Sequence, residues 1–341
     1  MDRKELLKKI GQERGSSVLA YFTSDRPGPI GAKIGMDIIP IFSGQLRAMG
    51  KQEKIDLVLY STGGDTMVPW RLVSMIREYC DKLAVLVPYK AHSAATMIAL
   101  GADEIVMSDL SELSPIDPST ANVFNPPQPG SPQGRIPISV EDVVAYFDLA
   151  KNKFGISSDA SLEQIFSQFG KANPQIHPLA LGNVNRIHNL IRLLARQLLL
   201  SHKEPMAEAE VDKVVGYFTE KLYSHQYFIG RKEARESLGL NSVMYAKSGL
   251  ADVMTEIYES FKEEMKIGEQ WNQEMELGAG MSQGEKDYTI AYVESEKQSQ
   301  HFDLHVEFRR QQVPVQQQTP QGPMQVQQEK VVWRVVRQGW E

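Results

Sequence analysis

Ser93 stands where a hydroxyl could act as a nucleophile. It lies in Ala91-His92-Ser93-Ala94-Ala95-Thr96, just after the apolar run Leu83–Pro88, and opens the apolar segment Ser93–Ala102, which reads as a helix. A serine at such a strand-to-helix turn meets free backbone N–H groups and the positive end of the helix dipole. A second apolar run, Ile55–Tyr60, leads into Ser61-Thr62-Gly63-Gly64-Asp65, a glycine turn that opens another helix. One strand end offers a hydroxyl and the other bare N–H groups, which are the parts of a nucleophile and its oxyanion hole. Taken alone, the same residues also fit a helix N-cap and a tight turn.

The elements that would position these residues alternate in type. Ser17–Thr23 reads as a strand, Met36–Met49 as a helix, Ile55–Tyr60 as a strand and Val68–Tyr79 as a helix. The strand Leu83–Pro88, the helix Ser93–Ala102 and the strand Glu104–Met107 follow. Such alternation predicts a mostly parallel sheet with crossover helices. Residues 122–137 hold Pro126, Pro127, Pro129, Pro132 and Pro137 and read as an irregular loop. Beyond it, Ser139–Phe154, Pro178–Ser201, Glu208–Leu222 and Gly230–Leu240 read as helices. From about residue 270 the composition shifts to Gly, Gln and Glu. Tyr288–Glu294, Phe302–Arg309 and Lys330–Val336 alternate as strands do, around a Gln/Pro-rich stretch, 311–328, that predicts disorder. The expected organisation is an N-terminal helix over 1–15, one domain over 16–265, and a linker with a small β appendage over 270–341.

Composition narrows the class. The chain has 341 residues, enough to bury a sizeable core. Its net charge of -6, with no basic stripe to offset it, argues against nonspecific nucleic-acid binding. The single cysteine, Cys80, excludes an internal disulfide and fits a reducing compartment. The charged N-terminal stretch lacks the apolar core of a signal peptide, and no window reaches about 18 uncharged apolar residues. A cytosolic protein without a membrane span is the expectation. His177, His188, His202, His301 and His305 show no metal-ligand spacing, and Thr62-Gly63-Gly64 lacks the ending of a phosphate loop, so neither metal nor cofactor is expected.

Four segments in order, LVLYSTGGD (57–65), HSAATMIALGADEIVM (92–107), SELSPIDP (111–118) and SHQYFIGRKEARESLGL (224–240), resemble the Clp/crotonase superfamily. Within it the pattern is most similar to the serine dehydrogenase proteinase family, which is related to signal peptide peptidase A. The resemblance covers roughly residues 17–250. It implies an α/β fold with a Clp/crotonase-like, parallel-rich spiral core, followed by C-terminal helices and the small β appendage. It further implies serine-dependent hydrolysis of peptide or protein substrates, and a homo-oligomer. Carried over, Ser93 is the nucleophile, and the N–H groups of Gly64 and Ala94 hold the oxyanion. Gly64 precedes Ser93 by 29 residues, a separation similar to that in the Clp peptidase. A side chain at position 64 would be expected to block the substrate carbonyl. Asp103 follows Ser93 by ten residues, like the aspartate after the signal peptide peptidase serine.

A serine also needs a proton acceptor. The place of the Clp histidine falls at Asp117, and the place of its acid falls at His225, before Glu233-Ala234. The resemblance therefore implies a swapped relay, with Asp117 beside His225 and His225 as base on Ser93. His92 and Lys90 flank the serine closely in sequence. Lys151 and Lys153 are the first lysines where a signal-peptide-peptidase dyad would place one. A catalytically inactive scaffold that binds a partner, and hydrolysis of a thioester, are the rival functions.

Overall fold

The computed structural model describes residues 2–116, 119–120, 123–128, 134–136, 138–156, 158–172, 177–222, 224, 227–319 and 322–341. Five strands form the parallel part of one sheet: β1 (Ser17–Thr23), β2 (Gln52–Tyr60), β3 (Cys80–Val87), β5 (Glu104–Met107) and β10 (Val243–Tyr245). They run β10-β5-β3-β2-β1, every neighbouring pair parallel. The short β4 (Lys90–Ala91) pairs with β6 (Glu112–Leu113), and β6 pairs antiparallel with β9 (Ile229–Gly230). The alternation of strand and helix patterns thus produces the parallel-rich α/β core expected of it.

Both faces of the sheet are covered, because both sets of alternate residues are apolar. Leu19 and Tyr21 of β1, Ile55, Leu57 and Leu59 of β2, and Leu83, Val85 and Val87 of β3 point to one face. There they meet α2 (Ile38–Met49), α3 (Val68–Arg77), α4 (Ala94–Leu100), α7 (Pro178–Leu200) and α8 (Glu208–Gly216). Val18, Ala20, Phe22, Val58, Tyr60, Ala84 and Leu86 point to the other face. That face is sealed by α1 (Arg3–Arg14) and α9 (Ser248–Met265), through Leu6, Leu7 and Ile10 and through Met254, Ile257 and Phe261.

The C-terminal fifth of the chain differs from the expected separate appendage. β11 (Gln283–Ser295) pairs antiparallel with β1, β12 (Ser299–Thr319) with β11, and β13 (Gly322–Trp340) with β12, so all three extend the main sheet to eight strands. The stretch expected to be disordered, 311–328, carries strand through Gln311–Thr319 and again from Gly322. The physical reason is the hairpin register, unbroken from Val306↔Val335 to Thr319↔Gly322, which satisfies the inward backbone groups of a chain poor in apolar side chains. β11 covers β12 only as far as Arg309, so a two-stranded ribbon projects beyond the sheet.

Candidate active site

The parallel strands β2 and β3 end side by side, and their continuations build the site. Past Tyr60 the chain continues through Ser61–Asp65, with bridges at Ser61 and Gly64. On one edge Ser61 N–H donates to Lys90 C=O at 3.0 Å, and His92 N–H donates to Ser61 C=O at 3.0 Å. On the other edge Ile34 N–H donates to Gly63 C=O at 3.0 Å, and Asp65 N–H donates to Ile34 C=O at 2.8 Å. These bonds bracket Gly64 and turn its own N–H away from Ile34, toward the edge formed by Lys90–Ser93. Ser61 fixes the start of the run from below: its buried hydroxyl accepts from Gly63 N–H at 3.1 Å and from the Thr23 hydroxyl at 2.8 Å.

Ser93 sits at the turn into α4 with φ 53° and ψ −114°. Among the described residues only Ser93 and Lys266 have positive φ without being glycine. Such a conformation costs of order 1–3 kcal/mol and persists only where the surroundings impose it. Here they do. Ser93 N–H donates to the Ser114 hydroxyl at 2.8 Å, and Ser114 in turn donates to Pro115 C=O at 2.9 Å. The Thr96 hydroxyl donates to Ala91 C=O at 2.7 Å and accepts from Ser114 N–H at 3.1 Å. Ser93 and Ser114 are thus pinned together on buried polar bonds, while the Ser93 hydroxyl is half-buried and makes no hydrogen bond among the described residues. The N–H groups of Gly64 and Ala94 likewise find no acceptor among the described residues. For Ala94 this follows from its place as the first residue of α4.

Gly63 seals the contact between the two strand ends. Its φ is 96°, and a Cβ there would lie 2.7 Å from Ser93 Cβ, 2.9 Å from His92 O and 3.2 Å from Ala94 N. Gly64 must also be glycine, but on the other side from the one expected. A Cβ at position 64 would collide with the Ile34 carbonyl oxygen and lie 2.5 Å from Ile34 N. Its missing side chain makes room for a neighbouring backbone, and the substrate side is left to its N–H.

The proposed proton acceptors fare differently. Asp117 and His225 lie outside the described residues. His92 Nε2 lies 3.0 Å from Glu112 Oε1. Burial pushes the Glu112 carboxyl up, with Lys90 acting against it. Lys90 Nζ is 3.6 Å from Asp25, whose carboxylate also accepts from Tyr60 Oη at 2.8 Å and from Gly268 N–H at 2.8 Å. Lys151 and Lys153 lie exposed on the π-helical turn Leu149–Lys153 that continues α5 (Val140–Asp148). Asp103 is a strut: it binds Arg77 through both carboxylate oxygens at 3.1 and 3.2 Å, Leu83 N–H at 2.8 Å and Lys203 N–H at 2.7 Å. It lies past the far end of α4, roughly 10 Å from the Ser93 turn.

Two residues at the site carry no signal in motif spacing: Ser114, which holds the Ser93 N–H, and Lys33, whose Nζ donates to Thr62 Oγ1 at 2.9 Å, one residue before Gly63. The clearest arrangement for a metal, His301 Nε2 or Nδ1 with Asp303 and Glu341, has ligand atoms within 4.8 Å of one another. It lies at the β12 end of the sheet, with β11 and β1 between it and β2.

With this geometry described, the comparisons identify the class. Residues 1–128 match the family model of the ClpP-like SDH-type serine proteinases, and that segment, which holds Ser93 and both glycines, is assigned to this family. The fold is accordingly ClpP-like, and the family supports a serine-peptidase type of hydrolase. The chain is 24% identical over 250 residues to the uncharacterized protein MJ0137 of Methanocaldococcus jannaschii, covering 70% of this chain and 72% of that one. It is 27% identical over 123 residues to MJ1495 of the same organism, covering 35% and 42%. Among solved structures it is similar to the 1510-N membrane-bound stomatin-specific protease, at 15% identity and a TM-score of 0.37, covering 68% of this chain and 80% of that one. A second structure of that protease, in complex with a substrate peptide, gives a TM-score of 0.36 at 15% identity, covering 68% and 76%. Among the described residues no helix is long and apolar enough to cross a membrane.

Proposed function

We propose that this protein hydrolyses peptide bonds with Ser93 as the nucleophile. The observation that carries the proposal is the coincidence at one turn of a strained serine with an unbonded hydroxyl and two unbonded N–H groups, those of Gly64 and Ala94. A serine kept only as a helix cap would bond its hydroxyl to the first turn, and this one does not. Attack by Ser93 Oγ on the scissile carbonyl would move charge onto the carbonyl oxygen, where Gly64 and Ala94 would donate to it. Each such donor is worth about 3 kcal/mol in a preorganised site. The tetrahedral intermediate then collapses, the amine leaves with a proton from the base, and water completes the cycle by the reverse path.

For the base we retain the pair His225 and Asp117. The support for it is motif position, in the segments 111–118 and 224–240. Of the competing residues, Lys90 Nζ lies 3.6 Å from Asp25 and His92 Nε2 lies 3.0 Å from Glu112. The cytosol and a homo-oligomeric assembly belong to the same proposal, as does a protein or peptide as the partner at the site.

The test is turnover. Incubation with a mixture of unmodified peptides, followed by mass spectrometry, should show new termini with the native chain and none with Ser93→Ala of equal thermal stability. A folded native chain that leaves every peptide intact would favour the binding-scaffold alternative.

A further inference from the structure

The ammonium of Lys33 stands beside the oxyanion loop without a counter-ion. Its Nζ donates to Thr62 Oγ1 at 2.9 Å, and among the described residues it forms no ion pair. The nearest carboxylate to influence it, Asp25, is already bound by Tyr60, Gly268 and Lys90. Of the other charged groups around the turn, His92 faces Glu112, and Asp65 accepts from Met67 N–H at 2.8 Å and forms no ion pair with Lys33. The surrounding protein lowers the Lys33 pKa from the ordinary lysine value by desolvation, against the pull of Asp25, although the side chain remains solvent-accessible. A partly desolvated cation with one neutral partner gains from any anion brought to it.

Its placement relative to the reacting centre is fixed by backbone. Ile34, the next residue, is bonded on both sides of Gly64, and Gly63 abuts Ser93. The covalent and contact links from Lys33 Nζ through Thr62 and Gly63 to Ser93 Cβ span at most roughly 13 Å. An extended peptide advances about 3.3 Å per residue, so this reach corresponds to at most about four residues from the scissile bond, before its side chain is counted.

We infer that Lys33, held by Thr62, is a specificity residue that selects substrates carrying a carboxylate within about four residues of the scissile bond. The substrate class is therefore acidic peptide segments, and this inference rests on Ser93 marking the reacting centre. The ammonium donates to the substrate carboxylate while keeping its bond to the Thr62 hydroxyl, and no bond is made or broken by it. Because the site is open to solvent, the pairing is expected to weaken with salt.

The test measures binding apart from turnover. Fluorescence anisotropy would follow the labelled heptapeptide Glu-Ala-Leu-Ala-Leu-Ala-Glu, and its Gln counterpart, on the Ser93→Ala chain. The acidic peptide is expected to bind about tenfold more tightly at low salt. In Ser93→Ala with Lys33→Gln the two peptides should bind alike, and Lys33→Arg in the same background should restore the preference, which a merely structural lysine would not do. Equal binding of the two peptides, binding of neither at millimolar concentration, or a preference that survives Lys33→Gln overturns the inference. Labelling of the native chain by a fluorophosphonate separates the two proposals. An adduct on Ser93 without acidic preference removes only this one, and a preference without an adduct removes only the hydrolase.

Discussion

Replacing Gly63 by alanine should damage the site through Ser93 itself, because the added methyl meets the Ser93 side chain directly. The added Cβ meets two costs at once. A φ of 96° is the left-handed region, which costs a residue with a Cβ roughly 1–2 kcal/mol. The contacts at 2.7 Å to Ser93 Cβ and 2.9 Å to His92 O are with atoms that cannot swing aside, and overpacking of that kind adds about 1–3 kcal/mol. A loss of about 3 kcal/mol is a large part of the stability of an ordinary domain. With a urea dependence of about 3 kcal/mol per molar, the midpoint should fall by about 1 M. Relief of the clash must push Ser93 and Ala94 N–H off the loop, so the rate of fluorophosphonate labelling should drop about tenfold or more in the folded variant. Gly44→Ala is the control. Gly44 lies in α2 with nothing within 4 Å of an added Cβ, and the change there should stabilise by about 0.5–1 kcal/mol. A Gly63→Ala chain that unfolds and labels like the native one would refute the packing described for the two strand ends.

Three further outcomes follow from the fold. Arg14 pairs with Asp56, whose carboxylate is fully buried and whose pKa burial has already raised. Arg14→Ala should cost about 3 kcal/mol at pH 7, and less near pH 4, because burial raises the Asp56 pKa and the folded variant then holds that carboxyl protonated; a urea midpoint unchanged at pH 7 would contradict this. Burial alone would raise the Glu104 carboxyl, but hydrogen bonds from Lys82, Arg14 and Lys54 outweigh it and bring it down to about 2, below the ordinary value of 4.5. The stabilisation it gives should be complete above about pH 5 and be lost as pH falls toward 2, and Glu104→Gln should flatten acid unfolding across that window. Replacing 314–327 by an Asn-Gly turn, which keeps the pair Val313↔Gln328, should leave the thermal midpoint within about 2 °C and Ser93 reactive, since β11 supports β12 only to Arg309. A large fall would mean that the ribbon packs on the core.

What the sequence made legible follows from locality. Ser17–Thr23 and Glu104–Met107 are strands with the predicted bounds, because short β-branched and apolar runs between polar turns leave few alternatives. α9 escaped the motif-led reading, although Leu250, Met254, Ile257, Tyr258, Phe261 and Met265 recur at helical spacing and are buried. The pairing of β11 with β1 was hidden for a different reason: Leu19 meets Ser295 across most of the chain, and no local pattern encodes such a neighbour. The Gln/Pro-rich ribbon misled because composition weighs side-chain burial, while the hairpin is closed by its backbone. At the site, the types and order of Gly63, Gly64 and Ser93 were readable. The direction in which Gly64 needs space, and the Ser114 bond that holds Ser93 strained, depend on partners brought by folding. His225 and Asp117 remain the proposal of motif position.

The most direct measurement is a structure of the protein after reaction with a peptidyl phosphonate. A covalent bond from Ser93 Oγ to phosphorus, with the phosphonyl oxygen roughly 2.7–3.1 Å from both Gly64 N and Ala94 N, is the predicted result. An unmodified Ser93 in a folded, phosphonate-saturated protein, or an adduct whose oxygen faces away from those two N–H groups, would contradict it.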